Sequence, residues 1–450
     1  MKMTNIIKCG PVLEVTFATR NYNMIKNTFS ALFVSALFSS LGAQTVITDT
    51  VSMGAGYANS NYYNVVSGSE HTSPINKWHI AHTTSTRDNC IRLNHTAGVN
   101  VYLYPKGNNS AFDQMDTTGW RNWVKPMNDL HVHEKGALNQ NLDPNNQWDF
   151  SWGIYDAASH QVKGDSLYLF TFAVGASTYF VKFMPIAQEP NGDFIFKYAP
   201  LGSPMSVTDT LKQSEANGGS YKYYDLQKMT QVDVEPAGGD WHLNFTRYYV
   251  PTFTGTEYIP YLTMGVESKR GLNIAKLENV KWADLLADAN TYITDTDTTG
   301  GKGFKNDLTR IGSDWKSFNG QSFEVVTDRA YLVEVPNATG ADYWGIRFTG
   351  FGGTSNGNSI LDRVKLGSQA NIKKSVLANI IAFPVPASNQ LNVIVPEYVK
   401  ATSYVIRSFD GRILLNSTNS NIDISTLSSG QYILEVSHNL GKSAISFSKI

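Results

Sequence analysis

The stretch LYLFTFAVGASTYFVKFMPI (167–186) decides the fold, because it holds two apolar and aromatic runs separated by a glycine-containing turn at 174–176. Aromatic and β-branched runs of this length, interrupted by glycine, are typical of a β-hairpin. The stretch AYLVEVPNATGADYWGIRFTGF (330–351) has the same organisation, with a longer turn predicted at 336–340. The chain is therefore predicted to be mainly β.

An internal duplication extends this pattern to most of the chain. Three pairs of motifs lie 163 positions apart and keep the same order: NKWHIA at Trp78 with DWHLNF at Trp241, FSWGIYD at Trp152 with SDWKSFN at Trp315, and SLYLFTF at Tyr168 with RAYLVEV at Tyr331. A repeat at one offset predicts two copies of one structural unit. We expect two homologous antiparallel β domains in tandem, at 44–208 and 209–368.

Two local patterns predict where side chains point. Alternation around Trp78 places Trp78, Ile80 and His82 on one buried strand face and His79 on the opposite, solvent-facing side; the second copy repeats this around His242. WADLLADANTYI (282–293) has apolar residues at helical spacing and predicts one short helix.

The N-terminal segment (1–43) has the character of an export signal behind a short extension. From Met24, the expected start, Lys26 is followed by an apolar run from Phe29 to Leu41 and a small-residue cleavage site before Gln44. The run is too short to span a bilayer. No later stretch approaches 18 continuous apolar residues, so we expect no transmembrane segment in the mature chain.

Composition narrows the class of protein. The 37 basic and 38 acidic side chains give a formal net charge of −1, which argues against a nucleic-acid-binding protein. Aromatic residues reach 12% and charged residues only 17%, a balance that favours an exported β protein. Two cysteines exclude a disulfide scaffold and a multi-cysteine metal site.

The last seventy residues form a third unit after a linker at 369–378. FPVPA (383–387), DGR (410–412) and IDISTLSSGQY (422–432) predict a small β-sandwich of four to six strands over 379–450. This unit resembles the C-terminal sorting domain of type IX secretion cargo. The positions that carry the resemblance are Phe383, Pro384, Pro386, Asp410, Gly411, Leu427, Gly430 and Tyr432. The resemblance implies Sec export, contact with the type IX secretion machinery, and a secreted or surface-attached product.

The duplicated domains resemble the HmuY-type haem-binding β-fold. SYKYYDLQ (220–227), GGDWHLNFTRYYV (238–250) and the paired strands of 330–353 carry the resemblance, with Trp241, Phe245 and Arg247 matching the family's Trp-led strand. The resemblance implies haem capture without catalysis.

Haem iron needs axial ligands, usually His or Met. Because His82 lies on the predicted buried face, it is a candidate ligand; His79 and His242 occupy equivalent places in the two copies. The alternative is that all three are hydrogen-bonded structural histidines. The pair His131 and His133 lacks an identifiable third metal ligand.

No catalytic motif stands out. Neither a G-x-S-x-G elbow nor an H-E-x-x-H helix occurs, and Cys90 is more typical of a buried small hydrophobe than of a nucleophile. We therefore expect no enzyme. Two binding functions remain open: haem binding or scavenging at the cell surface, with haem or a haem protein as partner, and a surface module that binds glycan or protein. The second would use exposed aromatics: Tyr248, Tyr249, Tyr258 and Tyr261. A hydrolase whose site lies in the loops is the third alternative.

Overall fold

The computed structural model describes residues 44–85, 88–294, 303–338, 340–369, 380–395, 401–408, 411–438 and 441–450. The predicted signal peptide and most of the predicted linker lie outside these ranges. The chain is mainly β: of the described residues, 49% lie in strands and 11% in helices, 3-10 helices included, and the strands form antiparallel sheets. The predicted fold class is confirmed at this level.

The described residues contain 29 strands, three short α-helices and seven short 3-10 helices. In chain order the strands are β1 (Ile47–Ser52), β2 (Asn59–Tyr63), β3 (Glu70–Pro74), β4 (Ile80–Thr83), β5 (Ile91–Leu93), β6 (Asn100–Leu103), β7 (Gly153–Asp156), β8 (Gln161–Gly164), β9 (Tyr168–Val174), β10 (Ser177–Gln188), β11 (Phe194–Pro200), β12 (Val207–Leu211), β13 (Tyr221–Asp225), β14 (Thr230–Val232), β15 (Leu243–Phe253), β16 (Tyr258–Ser268), β17 (Asn273–Glu278), β18 (Lys316–Phe318), β19 (Phe323–Val325), β20 (Arg329–Asn337), β21 (Gly340–Phe351), β22 (Asn358–Gln369), β23 (Ile381–Phe383), β24 (Gln390–Ile394), β25 (Ala401–Arg407), β26 (Ile413–Ser417), β27 (Asn421–Asp423), β28 (Gly430–His438) and β29 (Gly441–Lys449). The helices are α1 (Trp282–Ala287), α2 (Ala289–Thr294) and α3 (Gly353–Asn356).

The first sandwich packs a seven-stranded sheet against a four-stranded sheet. The larger sheet contains β6 to β12, and the smaller has the order β14-β13-β4-β5. Trp152, Tyr168, Phe170 and Phe183 lie fully buried between them. The hairpin predicted in 167–186 is confirmed as the antiparallel pair β9–β10.

The second sandwich packs the sheet β1-β22-β21-β20-β17 against the sheet β16-β15-β2-β3. Its core includes Tyr63, Phe245, Trp315 and Tyr331, all buried. Strands β20 and β21 pair as predicted, but β20 continues to Asn337, so the turn is shorter than the sequence indicated.

The two sandwiches exchange opening segments: the first strands of each predicted domain pair with strands of the other domain. Strands β1 to β3 precede the first sandwich in sequence, yet β1 pairs with β22 and β2 pairs with β15 in the second. Strands β12 and β13 instead close the first sandwich, by pairing with β11 and β4. The second core therefore combines 47–74 with 243–369, whereas the first is built within 80–232.

Matched contacts occur in the two opening segments. The Tyr63 hydroxyl donates to Asp49 Oδ2 at 2.6 Å, and the Tyr224 hydroxyl donates to Asp209 Oδ2 at 2.5 Å. Tyr63 and Tyr224 lie 161 positions apart, and the two aspartates lie 160 positions apart. Homology of the two copies stays a prediction.

The two motif tryptophans do not lie on the faces that alternation predicted. Strand β4 begins at Ile80, so Trp78 lies outside the alternating run and packs near Tyr223, away from Ile80. The opposite face is not solvent-facing either, because His79 is 6% exposed. Both faces are covered, since the two small sheets approach each other through a shared buried cluster that contains Tyr62, Tyr223 and Trp241.

The predicted helix at 282–293 is present as two helices rather than one. The backbone leaves the helical region at Asp288 (φ −143°, ψ 66°), between α1 and α2. Trp282, Leu285 and Ala289 are buried, as the helical spacing predicted.

The C-terminal domain has its own core and seven strands in its described residues. Strands β23, β24 and β27 form one sheet, and β26, β25, β28 and β29 form the other. The prediction of four to six strands was too low because β23 and β27 span only three residues each. Strands β25 and β26 pair on either side of Gly411, as the turn signal predicted, while Asp410 lies outside the described residues.

Candidate functional site

A cavity of about 480 Å³ lies between the two four-stranded sheets. Its walls come from β4, β5 and β13 of the first sandwich and from β2, β15 and β16 of the second, together with the segment 94–96 and residues near 125–130. This volume lies within the range of about 300–1,000 Å³ that is usual for small-molecule sites. Because neither sandwich encloses the cavity alone, the site exists only where the two sheets meet.

Aromatic side chains form much of the cavity wall: Tyr62, Trp78, Tyr221, Tyr223, Tyr249 and Tyr258. Trp78 meets Tyr223 edge to face at 5.0 Å between ring centroids. The Tyr221 hydroxyl donates to the His133 carbonyl oxygen at 3.1 Å, and the Tyr223 hydroxyl donates to Glu235 Oε1 at 2.7 Å. Since these hydroxyls are engaged, the rings are held in place and offer mainly their faces and edges to a ligand.

Glu235 anchors this aromatic wall from behind. Its buried carboxylate accepts hydrogen bonds from the Tyr223 hydroxyl and, at 2.9 Å, from Trp241 Nε1. The backbone amides of Ser220 and Tyr221 also donate to it. Burial raises the pKa of Glu235, although its hydrogen bonds act in the opposite direction. One carboxylate thus ties β13 to the segment that enters β15.

Arg92 and Asn244 present polar atoms without hydrogen-bond partners among the described residues. Arg92 is 8% exposed; its Nη2 donates to the Asp129 carbonyl oxygen at 3.0 Å, while Nη1 has no partner there. Asn244 is equally buried; its Nδ2 donates to Glu267 Oε2 at 3.4 Å, while Oδ1 accepts nothing within those residues. Buried polar atoms are normally satisfied, so these two mark a place where a ligand or water belongs.

The charged side chains that line the cavity are mostly cationic. Three of the lining side chains are cationic, namely Arg92, Lys125 and Arg247. Glu267 is the one carboxylate that lines the cavity among the described residues. Burial raises the pKa of Glu267, and the nearby Arg92 charge partly offsets this. Burial also lowers the pKa of His95 to about 4, so that imidazole is neutral at pH 7. The lining therefore carries an excess of positive charge.

The three candidate haem ligands do not line this cavity. His82 is fully buried in the first sandwich, stacked on Phe194 at 4.5 Å between ring centroids, with Nδ1 2.8 Å from the Thr83 carbonyl oxygen. His79 Nδ1 accepts from the Leu226 amide at 3.1 Å.

His242 occupies a matching position, because its Nδ1 accepts from the Val65 amide at 3.2 Å. Val65 and Leu226 lie 161 positions apart, as Tyr63 and Tyr224 do. His79 and His242, which the sequence places at equivalent positions, thus have the same kind of contact: the Nδ1 atom of each accepts a backbone amide of a neighbouring segment.

The cavity's own histidine is also engaged on both ring nitrogens. His95 Nδ1 lies 2.9 Å from the Val99 carbonyl oxygen, and Nε2 accepts from the Asn128 amide at 3.3 Å. A metal-binding imidazole needs a free nitrogen lone pair. His95 therefore serves the local backbone rather than a bound metal.

The remaining chemical candidates are dispersed. Among the described residues, no group of three or more His, Cys, Asp or Glu side chains is placed to hold a metal ion. His131 is exposed beside Asp307, whereas His133 is buried and has no hydrogen-bond partner on either ring nitrogen within that part of the chain. Burial raises the pKa of Cys90 to about 12, which keeps it a thiol.

The four tyrosines named for surface binding have different environments. Tyr258 and Tyr261 are 71% and 55% exposed near the end of the long β15–β16 hairpin, and Tyr249 is half-buried. Tyr248 is buried. Tyr258 and Tyr249 belong to the cavity lining, so the β15–β16 hairpin forms part of the cavity wall, whereas Tyr261 lies outside the lining.

Sequence reasoning missed Arg92, Asn244 and Glu267. One feature of the sequence could have indicated Arg92: it lies between the apolar residues Ile91 and Leu93 of a buried strand. A charged residue in such a strand usually has a specific partner or function.

A family model described as "Secretion system C-terminal sorting domain" matches residues 381–447. No curated protein and no solved structure gives a significant match to the chain. The C-terminal domain is thus similar to type IX sorting domains, and the chain is a secreted protein delivered by that route to the cell surface or the extracellular space.

The motif positions take different places in this domain. Phe383 is 42% exposed at the end of β23, Gly430 begins β28, and Leu427 packs against the core. Tyr432 is buried and its hydroxyl donates to the Ser428 carbonyl oxygen at 2.6 Å. Separately, no helix within the described ranges is long and apolar enough to cross a membrane.

Proposed function

We propose that this secreted chain is a non-enzymatic binding protein that holds a saccharide in the cavity between its two small sheets. It reaches the cell surface through Sec and then the type IX machinery, where it acts in attached or released form. Duplication of one β-sandwich supplied the two walls of the site.

The observation that carries this proposal is the combination of fixed aromatic rings with unpaired polar atoms in one cavity. A saccharide presents C–H faces, which pack on aromatic rings, and hydroxyls, which pair with polar atoms in fixed positions. Trp78 and Tyr223 supply the rings, and Arg92 and Asn244 supply the polar atoms. No charge relay or metal is required for such binding.

Saccharide binding is expected to depend on Trp78. Replacing it in Trp78→Ala should weaken binding about tenfold, because loss of an aromatic contact costs ~1–2 kcal/mol. Isothermal titration of the purified protein with a panel of mono- and disaccharides measures this. Trp148→Ala is the matched control, since Trp148 is half exposed and stacks on Tyr155 outside the cavity lining. Equal affinities of Trp78→Ala and the unmodified protein, or binding of no saccharide at all, would contradict the proposal.

Haem binding stays an untested prediction of the sequence, and no described contact favours it. We expect micromolar hemin to give no new Soret band with the purified protein, because the three candidate ligands do not line the cavity: His82 is fully buried against Phe194, and the Nδ1 atoms of His79 and His242 accept backbone amides. Absorbance titration checks this. A sharp Soret band that disappears in His242→Ala would instead establish haem as the ligand.

A further inference from the structure

The cavity has a chemical asymmetry that bears on which saccharide it holds. Three of its four charged lining side chains are cationic, and Arg92 is the most buried of these. Arg92 is only 8% exposed, yet its Nη1 has no hydrogen-bond partner among the described residues. Leaving a buried guanidinium N–H unpaired is costly, and a carboxylate is the group that pairs with it best.

Glu267 does not occupy that place. Its carboxylate accepts from Asn244 Nδ2 at 3.4 Å, and among the described residues it makes no hydrogen bond to Arg92, although the two charges are close enough to influence each other's pKa. The free acceptor Asn244 Oδ1 lies next to this carboxylate. The polar side of the cavity therefore offers one anion-binding donor beside two acceptors that suit hydroxyl groups.

We infer that the ligand is an anionic saccharide of the hexuronate class, whose carboxylate binds Arg92 Nη1 and whose hydroxyls donate to Asn244 Oδ1 and Glu267. This inference rests on the proposed saccharide-binding function and specifies its substrate class. Lys125 and Arg247 add positive charge at the cavity wall and attract the same anion. The aromatic rings of Trp78 and Tyr223 take the C–H face of the sugar ring.

Titration with three matched probes tests the inference: glucuronate, glucose and glutarate. The unmodified protein should bind glucuronate about tenfold or more tightly than glucose, because a charge-assisted hydrogen bond to a buried Arg exceeds a neutral one. Glutarate, which has carboxylates but no sugar ring, should bind at least about tenfold more weakly than glucuronate. The preference for glucuronate should shrink as salt rises.

Arg92→Gln should reduce the ratio of glucuronate affinity to glucose affinity to about one, and because Arg92 is one of the polar groups of the site, glucose binding should weaken as well. Arg121→Gln is the matched control, because Arg121 is exposed on Trp120 and lies outside the cavity lining. Thermal melting establishes that Arg92→Gln is folded; if it is not, the ratio of the probes and its salt dependence in the unmodified protein decide the matter.

The outcomes separate the two proposals. Equal binding of glucose and glucuronate, or a preference that survives Arg92→Gln, overturns the anionic class and leaves saccharide binding intact. Glutarate binding as tight as glucuronate overturns the sugar-ring contacts. Binding of none of the three probes, together with none of the wider saccharide panel, overturns the proposed function itself.

Discussion

Acidification from pH 7 to pH 4 is expected to destabilise the two large β-sandwiches strongly. Burial lowers the pKa of His95 and His242 to about 4 and that of His133 to about 3, from an ordinary value of 6.5. Burial is the first cause for each, so the folded state holds these rings neutral. Burial lowers the pKa of His79 and His82 as well.

The direction follows from proton uptake in the two states. Below pH 6.5 the unfolded chain protonates its histidines, whereas the folded chain does not until the pH approaches 4. The stability contributed by neutral burial is therefore complete above pH 6.5 and is lost as the pH falls towards 4. A histidine whose pKa falls from 6.5 to about 4 loses on the order of 3 kcal/mol over this interval. Three such groups together lose an amount comparable to the ~5–15 kcal/mol by which typical domains are stable, and Glu235 and Glu267 offset part of this loss because their raised pKa lets the folded state take up their protons first.

Urea unfolding followed by tryptophan fluorescence at each pH measures this loss. His133→Leu should move the acid midpoint to lower pH, because it removes one buried histidine whose ring nitrogens have no hydrogen-bond partner among the described residues. His131→Leu is the matched control, since its side chain is 67% exposed. A protein whose urea midpoint is the same at pH 7 and pH 4 would contradict the expectation.

Local features of the fold followed from sequence because they depend on neighbouring residues. The β9–β10 hairpin was predictable, since its two runs flank Gly175, whose positive φ of 61° suits the turn. The C-terminal domain was predictable for the same reason around Gly411. These signals need only a few residues of context.

The exchange of opening segments was not predictable in this way. Strand β2 pairs with β15 through contacts such as Leu243 with Tyr63, which lie 180 positions apart in the sequence. A period-of-two pattern fixes which residues share a face, but it does not select the partner strand. Repeated motifs make this choice harder, because equivalent strands of two copies carry similar patterns.

The cavity was missed for a related reason. The alternation of apolar and polar residues predicts a strand that includes Trp78, but the strand begins at Ile80. Trp78 therefore packs in a different cluster from the core that the pattern predicts for it. The site needs both small sheets, and Arg92 and Glu267 approach it from different sandwiches. Their juxtaposition is a property of tertiary structure alone.

Deletion of residues 379–450 is expected to stop passage of the chain across the outer membrane and leave nearly all of it in the periplasm. The deletion should not unfold the rest, because the described residues that form the apolar core of the C-terminal domain all lie within 380–447. A domain with its own core can be removed or transferred as a unit. Immunoblots of periplasm, surface and medium, in a host with type IX machinery, measure the distribution.

Transfer is the converse test. A reporter that carries a Sec signal and residues 379–450 should appear outside the outer membrane, whereas the same reporter without the tail should remain in the periplasm. Retention of the tailed reporter would show that the sorting domain is insufficient in this chain, and export of the tail-deleted chain would show that it is unnecessary.

A point substitution can separate recognition from folding within this domain. Phe383 belongs to the sorting motif and is 42% exposed, so Phe383→Ser removes an apolar contact for the machinery with little cost to the core. Tyr432, by contrast, is buried, and its loss would mix unfolding with loss of recognition. Ile413→Ser is the matched control, since Ile413 is 50% exposed on β26 and lies outside the motif. We expect Phe383→Ser to reduce export while Ile413→Ser does not, both with unchanged melting temperatures. Equal export of the two variants would mean that the machinery recognises another face of the domain.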